Sequence, residues 1–466
     1  MAEDDSRFRI RRICISPLEE AKNLVEENRH PEAAQVLSKY IDKDWDNPEA
    51  LFLLGYCFMK ADNVGLAYQM FKRASDVFPG EAAIWHNIGK LYHERQEEDK
   101  AEEFFRKALK CKPNFYNALE GLGMTSINKG DYKRCIEYCN RALAENPEAM
   151  EAKINRGMAY LALKRWHEGW RDYNYNLGRD KNRKIIIYGD EKPWDGTKGL
   201  DVVCFGEQGI GDEISFASCI PDLIRDSKSV TIECDGRLEK LYRRSFPSCE
   251  VYGTRYRKEE VPWRAERKFD ARVAIGQLPM FYRNKDSDFP GDPYLIPNPQ
   301  MALQWRSLLN SLGSKPKIGL SWTGGLPHTG QKRRSVTLDT YAPLLKGFDA
   351  DWISLQYKEV DVSQAEDKYG VKIHDFDWGT RVHDYDQTVA LISELDLVIS
   401  VSTTVVHAAG GLGKECWCLV PEKPMWRYME SGSWFPWAKS VTLYRQKGRE
   451  WPIHILLGQL KDKFAA

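Results

Sequence analysis

The residues best suited to chemistry form a glycine-rich turn at residues 206–215, GEQGIGDEIS. Gly209 and Gly211 allow the backbone to turn tightly and to approach a ligand closely. A helix that begins here presents free N–H groups, which favour an anion such as phosphate. The carboxylates of Glu207 and Asp212 can accept a proton from a hydroxyl group. One glycine turn is a weak signal, because many α/β domains contain one.

A second candidate turn lies about two hundred residues later, in residues 396–413, DLVISVSTTVVHAAGGLG. It predicts a buried strand, a hydroxyl-bearing turn and a helix that packs closely through small residues. Ser402, Thr403 and Thr404 stand at the predicted helix start, where hydroxyl and N–H groups can hold a diphosphate. His407 follows one turn later and could donate to phosphate. Ordinary helix capping, and a core position for the histidine, remain the alternatives.

Further candidates lie between these two turns. Trp322 and Gln356 end predicted strands, so they could contact a nucleotide, or they could belong to the core. Lys332, Arg333 and Arg334 could neutralise phosphate charge, for which the arginine fork is well suited. A solvated surface run explains three consecutive basic residues equally well.

Alternating strands and helices must position these residues. The apolar run 200–205 predicts a buried parallel strand before the first turn. Further strands are predicted at 230–234, 269–275, 317–322, 352–356, 396–401 and 415–420. They form two groups, and two such half-domains create a cleft at the C-terminal ends of their strands. A transferase, a dehydrogenase and an epimerase are all compatible with this pattern.

The chain before residue 180 has an internal repeat. Equivalent residues recur 34 positions apart, for example Leu51 and Trp85, Phe71 and Phe105, Pro79 and Pro113. The period and the pattern of small, aromatic and proline positions resemble the tetratricopeptide repeat. Such arrays offer a concave face to a protein or peptide partner, although the array could instead only pack on a neighbouring domain.

We therefore predict an α-helical solenoid at 1–180, followed by an α/β region with Rossmann-like halves at 181–299 and 300–466. An incomplete copy of the repeat precedes the others, with helices at 17–27 and 31–41. The last copy has Lys153 and Arg156 at apolar positions. Residues 166–173, WHEGWRDY, are predicted to cap the array.

Residues 206–460 resemble the heptosyltransferase-like enzymes, glycosyltransferase family nine, in the branch fused to tetratricopeptide repeats. The motifs that carry this resemblance are GEQGIGDEISFA, GLSWTGG, KRRSVTL, ISLQ, the 396–413 run and WRYMESGSWFPWAKSVTLYRQ. The resemblance implies a GT-B fold, with a nucleotide sugar bound mainly by the second half and an acceptor by the first. Asp212 is then the expected general base, and the alternative is that it only caps the helix that it precedes. The family's usual Asp-Thr is Ser402-Thr403 here, which puts the donor's identity in doubt.

The predicted reaction is an inverting sugar transfer that needs no metal or other cofactor. Glu207 and Glu213, which flank the proposed base Asp212, could substitute for it. The strings 375–377 and 384–386 have the form Asp-x-Asp, but we interpret them as loop and cap residues rather than metal ligands.

Composition limits the partners. Lys and Arg number 68, as do Asp and Glu, so nucleic acid is an unlikely partner. The 11 cysteines lack zinc-site spacing and indicate reduced thiols. The first residues, MAEDDSRFRIRR, lack the apolar core of a secretory signal, and no apolar run is long enough to span a membrane. A cytoplasmic location is expected.

Two other functions remain open from the sequence. A non-catalytic repeat scaffold with a degenerate nucleotide fold is favoured by the Ser402 departure. Transfer to modified bases of nucleic acid is disfavoured by the balanced charge. The fusion of repeats to a GT-B fold is also similar to the protein O-GlcNAc transferases, which makes a polypeptide acceptor worth testing.

Overall fold

The computed structural model describes residues 16–178, 183–257, 261–325 and 331–465, apart from the side chain of Lys332. The chain divides into two compact units. One contains the described residues up to 129 together with 137–152, and the other contains 130–136 and the described residues from 153 onward. The expectations for residues 1–12 and for the Lys332 side chain lie outside the described part.

The N-terminal part of the described chain is helical. Its helices are α1 (Pro17–Glu26), α2 (His30–Ile41), α3 (Pro48–Lys60), α4 (Val64–Val77), α5 (Ala82–Glu94), α6 (Glu98–Cys111), α7 (Tyr116–Asn128), α8 (Tyr132–Glu145), α9 (Met150–Ala162) and α10 (Trp166–Tyr173). The two helices predicted before the full repeats are thus confirmed as α1 and α2.

The repeat pattern has the packing role that the sequence predicts. A Cβ added to Gly55 would lie 2.8 Å from the ring of Phe71, and one added to Gly89 would lie 2.7 Å from the ring of Phe105. Both rings are fully buried. Glycine is required where the two helices of a hairpin meet, because the aromatic ring occupies the space that a side chain would need.

The charged substitution in the last copy also has a physical explanation. Arg156 lies on α9, and its Nε atom donates to Asp172 Oδ2 on α10 at 2.6 Å. The Asp172 side chain is 2% exposed, so this pair, together with the longer contact from Arg171 Nε at 3.4 Å, neutralises a buried carboxylate. The indole N–H groups of α10 donate to Asp286 from Trp166 and to the Arg283 carbonyl from Trp170. By its contacts α10 therefore belongs to the second unit, which includes the described residues from 153 onward. The predicted boundary at 180 marks instead the end of the helical sequence pattern.

In the described residues 183–282, five parallel strands form the first sheet, in the order β1-β5-β2-β3-β4. Its strands are β1 (Lys192–Pro193), β2 (Asp201–Phe205), β3 (Ser229–Glu233), β4 (Glu250–Tyr252) and β5 (Ala271–Ala274). Its helices are α11 (Ile210–Ala217), α12 (Ile220–Asp226), α13 (Glu239–Ser245), α14 (Pro262–Glu266) and α15 (Leu278–Tyr282).

In the described residues 299–463, six parallel strands form the second sheet, in the order β11-β10-β9-β6-β7-β8. Its elements are α16 (Pro299–Ser311), β6 (Lys317–Ser321), α17 (Gln331–Arg334), α18 (Leu338–Gly347), β7 (Asp351–Ser354), α19 (Ser363–Tyr369), β8 (Ile373–His374), α20 (Asp377–Thr380), α21 (Tyr385–Glu394), β9 (Leu397–Val401), α22 (Thr404–Leu412), β10 (Cys416–Val420), β11 (Val441–Arg445) and α23 (Ile453–Lys463).

The second sheet has the strand order of the doubly wound dinucleotide-binding fold, with β6 as its first strand. The direction of winding reverses between β6 and β9, and ligands of such sheets bind outside the C-terminal ends of the strands at this point. The predicted helical repeat array followed by an α/β region with parallel sheets is confirmed. In the described part of the chain, no helix combines the length and the apolar character needed to cross a membrane.

Candidate functional site

The first glycine turn connects β2 to α11 at the C-terminal edge of the first sheet. A Cβ added to Gly206 would lie 2.4 Å from the carboxylate of Glu213, so the turn closes over that side chain. Gly209 precedes α11 with an extended backbone. Asp212 lies in the first turn of α11, where a negative charge is favoured by the helix N-terminus.

Asp212 forms an ion pair with an arginine of the second sheet's region. Arg427 Nη2 lies 2.8 Å from Asp212 Oδ1. The Asp212 side chain is 31% exposed, whereas that of Arg427 is 6% exposed. One carboxylate oxygen is thus held by the guanidinium, and the carboxylate as a whole remains accessible to a ligand.

The two neighbouring acidic residues are buried and paired. Arg183 makes a double hydrogen bond to Glu207, at 2.7 and 3.0 Å. Arg255 Nη1 lies 2.7 Å from Glu213 Oε2. Burial raises the pKa of Glu213 to about 7, although Arg255 acts in the opposite direction. Each of these two carboxylates is thus engaged by its own arginine. A catalytic role for Glu207 or Glu213 stays a prediction.

The second predicted turn connects β9 to α22. The Thr403 hydroxyl caps α22 by accepting from the Val405 N–H at 3.2 Å. Ser402 is buried. A Cβ added to Gly211 would lie 2.9 Å from Thr404 Oγ1. The starts of α11 and α22 therefore touch, so the glycine-rich turn and the hydroxyl-bearing turn lie beside each other in the fold.

The loop after β6 covers the start of α22. A Cβ added to Gly324 would lie 2.1 Å from Thr403 Cγ2, and the Arg334 guanidinium reaches the neighbouring Gly325. Arg334 also donates to the Met425 sulfur at 3.3 Å. Three consecutive basic residues were predicted to bind phosphate. Of these, Arg334 lies beside the loop that covers the start of α22, and Arg333 has an exposed side chain.

Trp322 and Gln356 lie at the expected edge, but their side chains are buried. Trp322 is 5% exposed and belongs to the apolar core of the second sheet. The Gln356 amide lies within hydrogen-bond distance of the hydroxyls of Ser321, at 3.0 Å, and Thr323, at 2.7 Å. These contacts give both residues a structural role, and their contact with a nucleotide stays a prediction.

His407 lies on the first turn of α22, close to the glycine turn. Its Cδ2 atom is 3.6 Å from the position of a Cβ on Gly211. Burial, with a smaller contribution from the positive charge of Arg427, lowers the pKa of His407 to about 4. The imidazole is therefore neutral at pH 7 and can both donate and accept a hydrogen bond. Among the described residues, none lies within hydrogen-bond distance of its Nδ1 atom.

Sequence reasoning missed Arg427 as a site residue. It lies within the quoted 426–446 motif, but 215 positions from Asp212, and no spacing rule connects residues so far apart. Arg183 and Arg255 were also missed, since each looks like an ordinary surface charge until the fold places a buried carboxylate beside it.

The two Asp-x-Asp strings serve as caps and ion pairs. Asp384 accepts from the Asp386 N–H at the start of α21, at 3.0 Å. Asp386 is fully buried and pairs with Arg244 of the first sheet's region. Asp375 pairs with Arg381 at 2.9 Å. Among the described residues, no three His, Cys, Asp or Glu side chains form a group that could hold a metal ion.

Comparison with known proteins identifies the repeats. Tetratricopeptide repeat models match residues 82–115, and residues 18–74 together with 121–169. The N-terminal part of the chain therefore carries tetratricopeptide repeats, a class of repeat that indicates protein–protein interaction.

Similar proteins include protein FlbA of Caulobacter vibrioides, 25% identical over 432 residues, which are 88% of this chain and 72% of that protein. Because the match spans 88% of the chain, it includes α/β sequence as well as repeats. The peroxisomal targeting signal receptor of Kluyveromyces lactis is 29% identical over 114 residues, 24% of this chain and 20% of the receptor. The crystal structure of MamA matches 33% of this chain and 91% of its own, with 18% identity and a TM-score of 0.30.

Proposed function

We propose that this protein is a scaffold that binds a protein partner along a surface formed by the first helix of each repeat. The tetratricopeptide matches support this proposal. So does the likeness of the repeats to a protein that is, by its name, a receptor for a targeting signal.

The proposed binding surface is a stripe of partly buried side chains on α3, α5 and α7, which we call the first-helix stripe. Each helix contributes three residues, the second and third of which follow the first by four and seven positions, so they share one helix face. Helix α3 contacts α5, and α5 contacts α7. The stripe consists of Phe52, Tyr56, Met59, His86, Lys90, His93, Glu120, Met124 and Ile127.

The observation that carries the proposal is a pair of polar atoms on this face. His86 Nδ1 and, one turn before Glu120, Asn117 Oδ1 are buried and have no hydrogen-bond partner among the described residues. Burial, and secondarily the charge of Lys90, lowers the pKa of His86 to about 3, so its ring is neutral at pH 7. Buried polar groups in native proteins are normally paired, and the backbone of a bound segment supplies the amide groups that these two atoms lack.

Site-specific photo-crosslinking tests this function. A photoreactive residue at Tyr56 or at Lys90 should capture a defined partner in cells, while the same residue at the exposed Glu103 on α6 should not. Lys90→Glu should prevent the capture at Tyr56 without lowering the thermal stability of the protein. Equal capture from Glu103, or capture unaffected by Lys90→Glu, would contradict binding along the stripe.

A second candidate function is inverting glycosyl transfer from a nucleoside-diphosphate sugar. The specific observation that favours it is the ion pair of Asp212 with Arg427 beside the touching starts of α11 and α22. The strand order of the second sheet, which is that of nucleotide-binding folds, supports it as well.

In this reaction the acceptor hydroxyl oxygen attacks the anomeric carbon of the donor sugar. The bond from that carbon to the diphosphate oxygen breaks, and the departing diphosphate keeps the bonding electron pair. The acceptor proton passes to Asp212 as general base. The N–H groups at the start of α22, the hydroxyls of Thr403 and Thr404 and the Arg334 guanidinium would stabilise the charge on the leaving group.

A thermal-shift screen with UDP, GDP, ADP and CMP and their sugar conjugates, with and without magnesium, tests this function first. A ligand at a hundred times its dissociation constant stabilises a protein by about 2.7 kcal/mol. Asp212→Asn should keep the shift but abolish sugar transfer. If no nucleotide shifts the unfolding temperature, the transferase proposal fails and the scaffold proposal is unaffected.

A further inference from the structure

Arg427 is a buried arginine whose hydrogen bonds leave part of its donor set unused. Its Nη2 group donates to Asp212 Oδ1 at 2.8 Å and to Gln208 Oε1 at 3.4 Å. The guanidinium also has a side-chain hydrogen bond with Tyr173. Its Nε atom is buried, and none of the described residues offers an acceptor within hydrogen-bond distance. A guanidinium carries five N–H donors, so an orphaned Nε–H in a 6% exposed side chain requires an explanation.

The surroundings of Arg427 restrict what can approach it. Its guanidinium carbon lies 4.3 Å from the centre of the Trp426 ring and 5.2 Å from that of Phe216. Because aromatic rings lie against the guanidinium, a polar ligand meets its edge. The side chain is thus held in place before any ligand arrives, as is typical of a preorganised anion site.

A second orphaned atom lies nearby. His407 Nδ1 is buried, has no partner among the described residues, and belongs to a neutral imidazole. His407 and Arg427 interact electrostatically with each other and with Asp212. The positive charge of Arg334 also contributes to lowering the pKa of His407. Among the described residues that act on His407, two arginines, Arg334 and Arg427, accompany one accessible carboxylate, Asp212, and the start of α22 adds further N–H donors.

We propose that Arg427 binds the diphosphate of a nucleotide ligand through its Nε edge while its Nη2 group keeps Asp212 in place, with His407 as a second donor to the same anion. The identity of the anion as a nucleoside diphosphate rests on the proposed glycosyl transfer. One guanidinium then joins the general base to the leaving group. This arrangement lets two negative groups stand close together, because the cation between them offsets their mutual repulsion.

The chain offers a matched control. Arg244 and Asp386 form another arginine–aspartate pair between the regions of the two sheets. Arg244→Gln breaks that pair without touching α11 or α22. Arg427→Gln and Arg427→Lys are the test variants, the second of which keeps the charge but loses the planar fork. Circular dichroism checks that each variant is folded.

The experiment is isothermal titration of the full chain with inorganic pyrophosphate and with UDP, GDP, ADP and CMP. For the ligand that wild type binds, Arg427→Gln should weaken affinity about tenfold to a hundredfold, the range for a lost charged hydrogen bond. Arg427→Lys should give a smaller loss, and Arg244→Gln should bind like wild type. Asp212→Asn should bind at least as tightly as wild type, because it removes a negative charge beside the anion.

The outcomes separate this inference from the transferase proposal. Unchanged affinity in both Arg427 variants overturns the inference, even if wild type transfers sugar and Asp212→Asn does not. Loss of affinity without any sugar transfer by wild type keeps the anion site and refutes the transferase. If wild type binds neither pyrophosphate nor any of the four nucleotides, the inference is overturned. If Arg427→Gln does not fold, the comparison of Arg427→Lys with Arg244→Gln decides.

Discussion

The ring of Phe105 should stabilise the repeats more than an exposed ring of the same type. Phe105 is fully buried, so Phe105→Ala should lower the free energy of unfolding by about 3–5 kcal/mol, which combines the lost transfer energy with the cavity that remains. Phe78 is 49% exposed and provides the control. Phe78→Ala should cost less than about 1 kcal/mol. Urea denaturation followed by far-UV circular dichroism measures both changes.

The geometry of Phe105 makes a sharper prediction possible. A Cβ added to Gly121 of α7 would lie 2.6 Å from the Phe105 ring, so Gly121→Ala alone should cost about 1–3 kcal/mol through overpacking. Once Phe105→Ala has removed the ring, the same methyl group enters the cavity, and alanine gains about 1 kcal/mol of helix propensity over glycine. Gly121→Ala should then stabilise the protein. Additive effects within about 0.5 kcal/mol in the double variant would refute this account of the close contact.

Three further predictions concern the second unit. Arg244→Ala should lower the free energy of unfolding in urea by about 3–5 kcal/mol, because it leaves the fully buried Asp386 unpaired. The same change at Arg306, whose side chain is 59% exposed, should lower it by less than about 1 kcal/mol. Equal losses in the two variants would contradict the argument from burial. Burial raises the pKa of Glu213 to about 7, so its protonated form stabilises the fold fully below the ordinary pKa near 4.5, and this stability is lost as the pH rises through 7. As the pH rises from about 4.5 to 7, the free energy of unfolding of Glu213→Gln should therefore increase relative to that of wild type, by up to about 3 kcal/mol. A difference between the two proteins that does not change with pH would refute the raised pKa. Gly211→Val should lower the midpoint of thermal unfolding, because its Cβ would lie 2.9 Å from a hydroxyl oxygen at the start of α22; an unchanged midpoint would mean that α11 and α22 do not touch.

The elements of the fold were predictable because their signals are local. The 34-residue period identified the helical hairpins, and apolar runs identified β2, β3, β5, β6, β7, β9 and β10 to within two residues at each end. The remaining strands, β1, β4, β8 and β11, were missed. Strands β1 and β8 have only two residues each, too few for a period, and β4 and β11 lie at the edges of their sheets.

The site was predictable in part. Parallel sheets bind ligands at their C-terminal edges. This rule predicts that Gly211 and the start of the helix at Thr404 lie in the same site. The direction of individual side chains did not follow: Trp322 and Gln356 come shortly after the ends of β6 and β7, close to where they were expected, yet both are buried. Arg427 could not be predicted, because a distant contact decides whether an arginine is a surface charge or a buried partner.

The ion pairs of the first sheet's edge distinguish between the acidic residues that the sequence left as alternatives. The two alternatives, Glu207 and Glu213, each pair with an arginine, as does Glu233 of β3, which the sequence did not single out, and all three side chains are 0% exposed. Asp212 is also paired, but its side chain is 31% exposed. A proton acceptor must come within hydrogen-bond distance of its substrate, and a fully buried carboxylate in an ion pair cannot do so without losing that pair. Accessibility therefore favours Asp212 as the carboxylate that a ligand meets, and it gives the three buried glutamates the role of holding the loops that surround it.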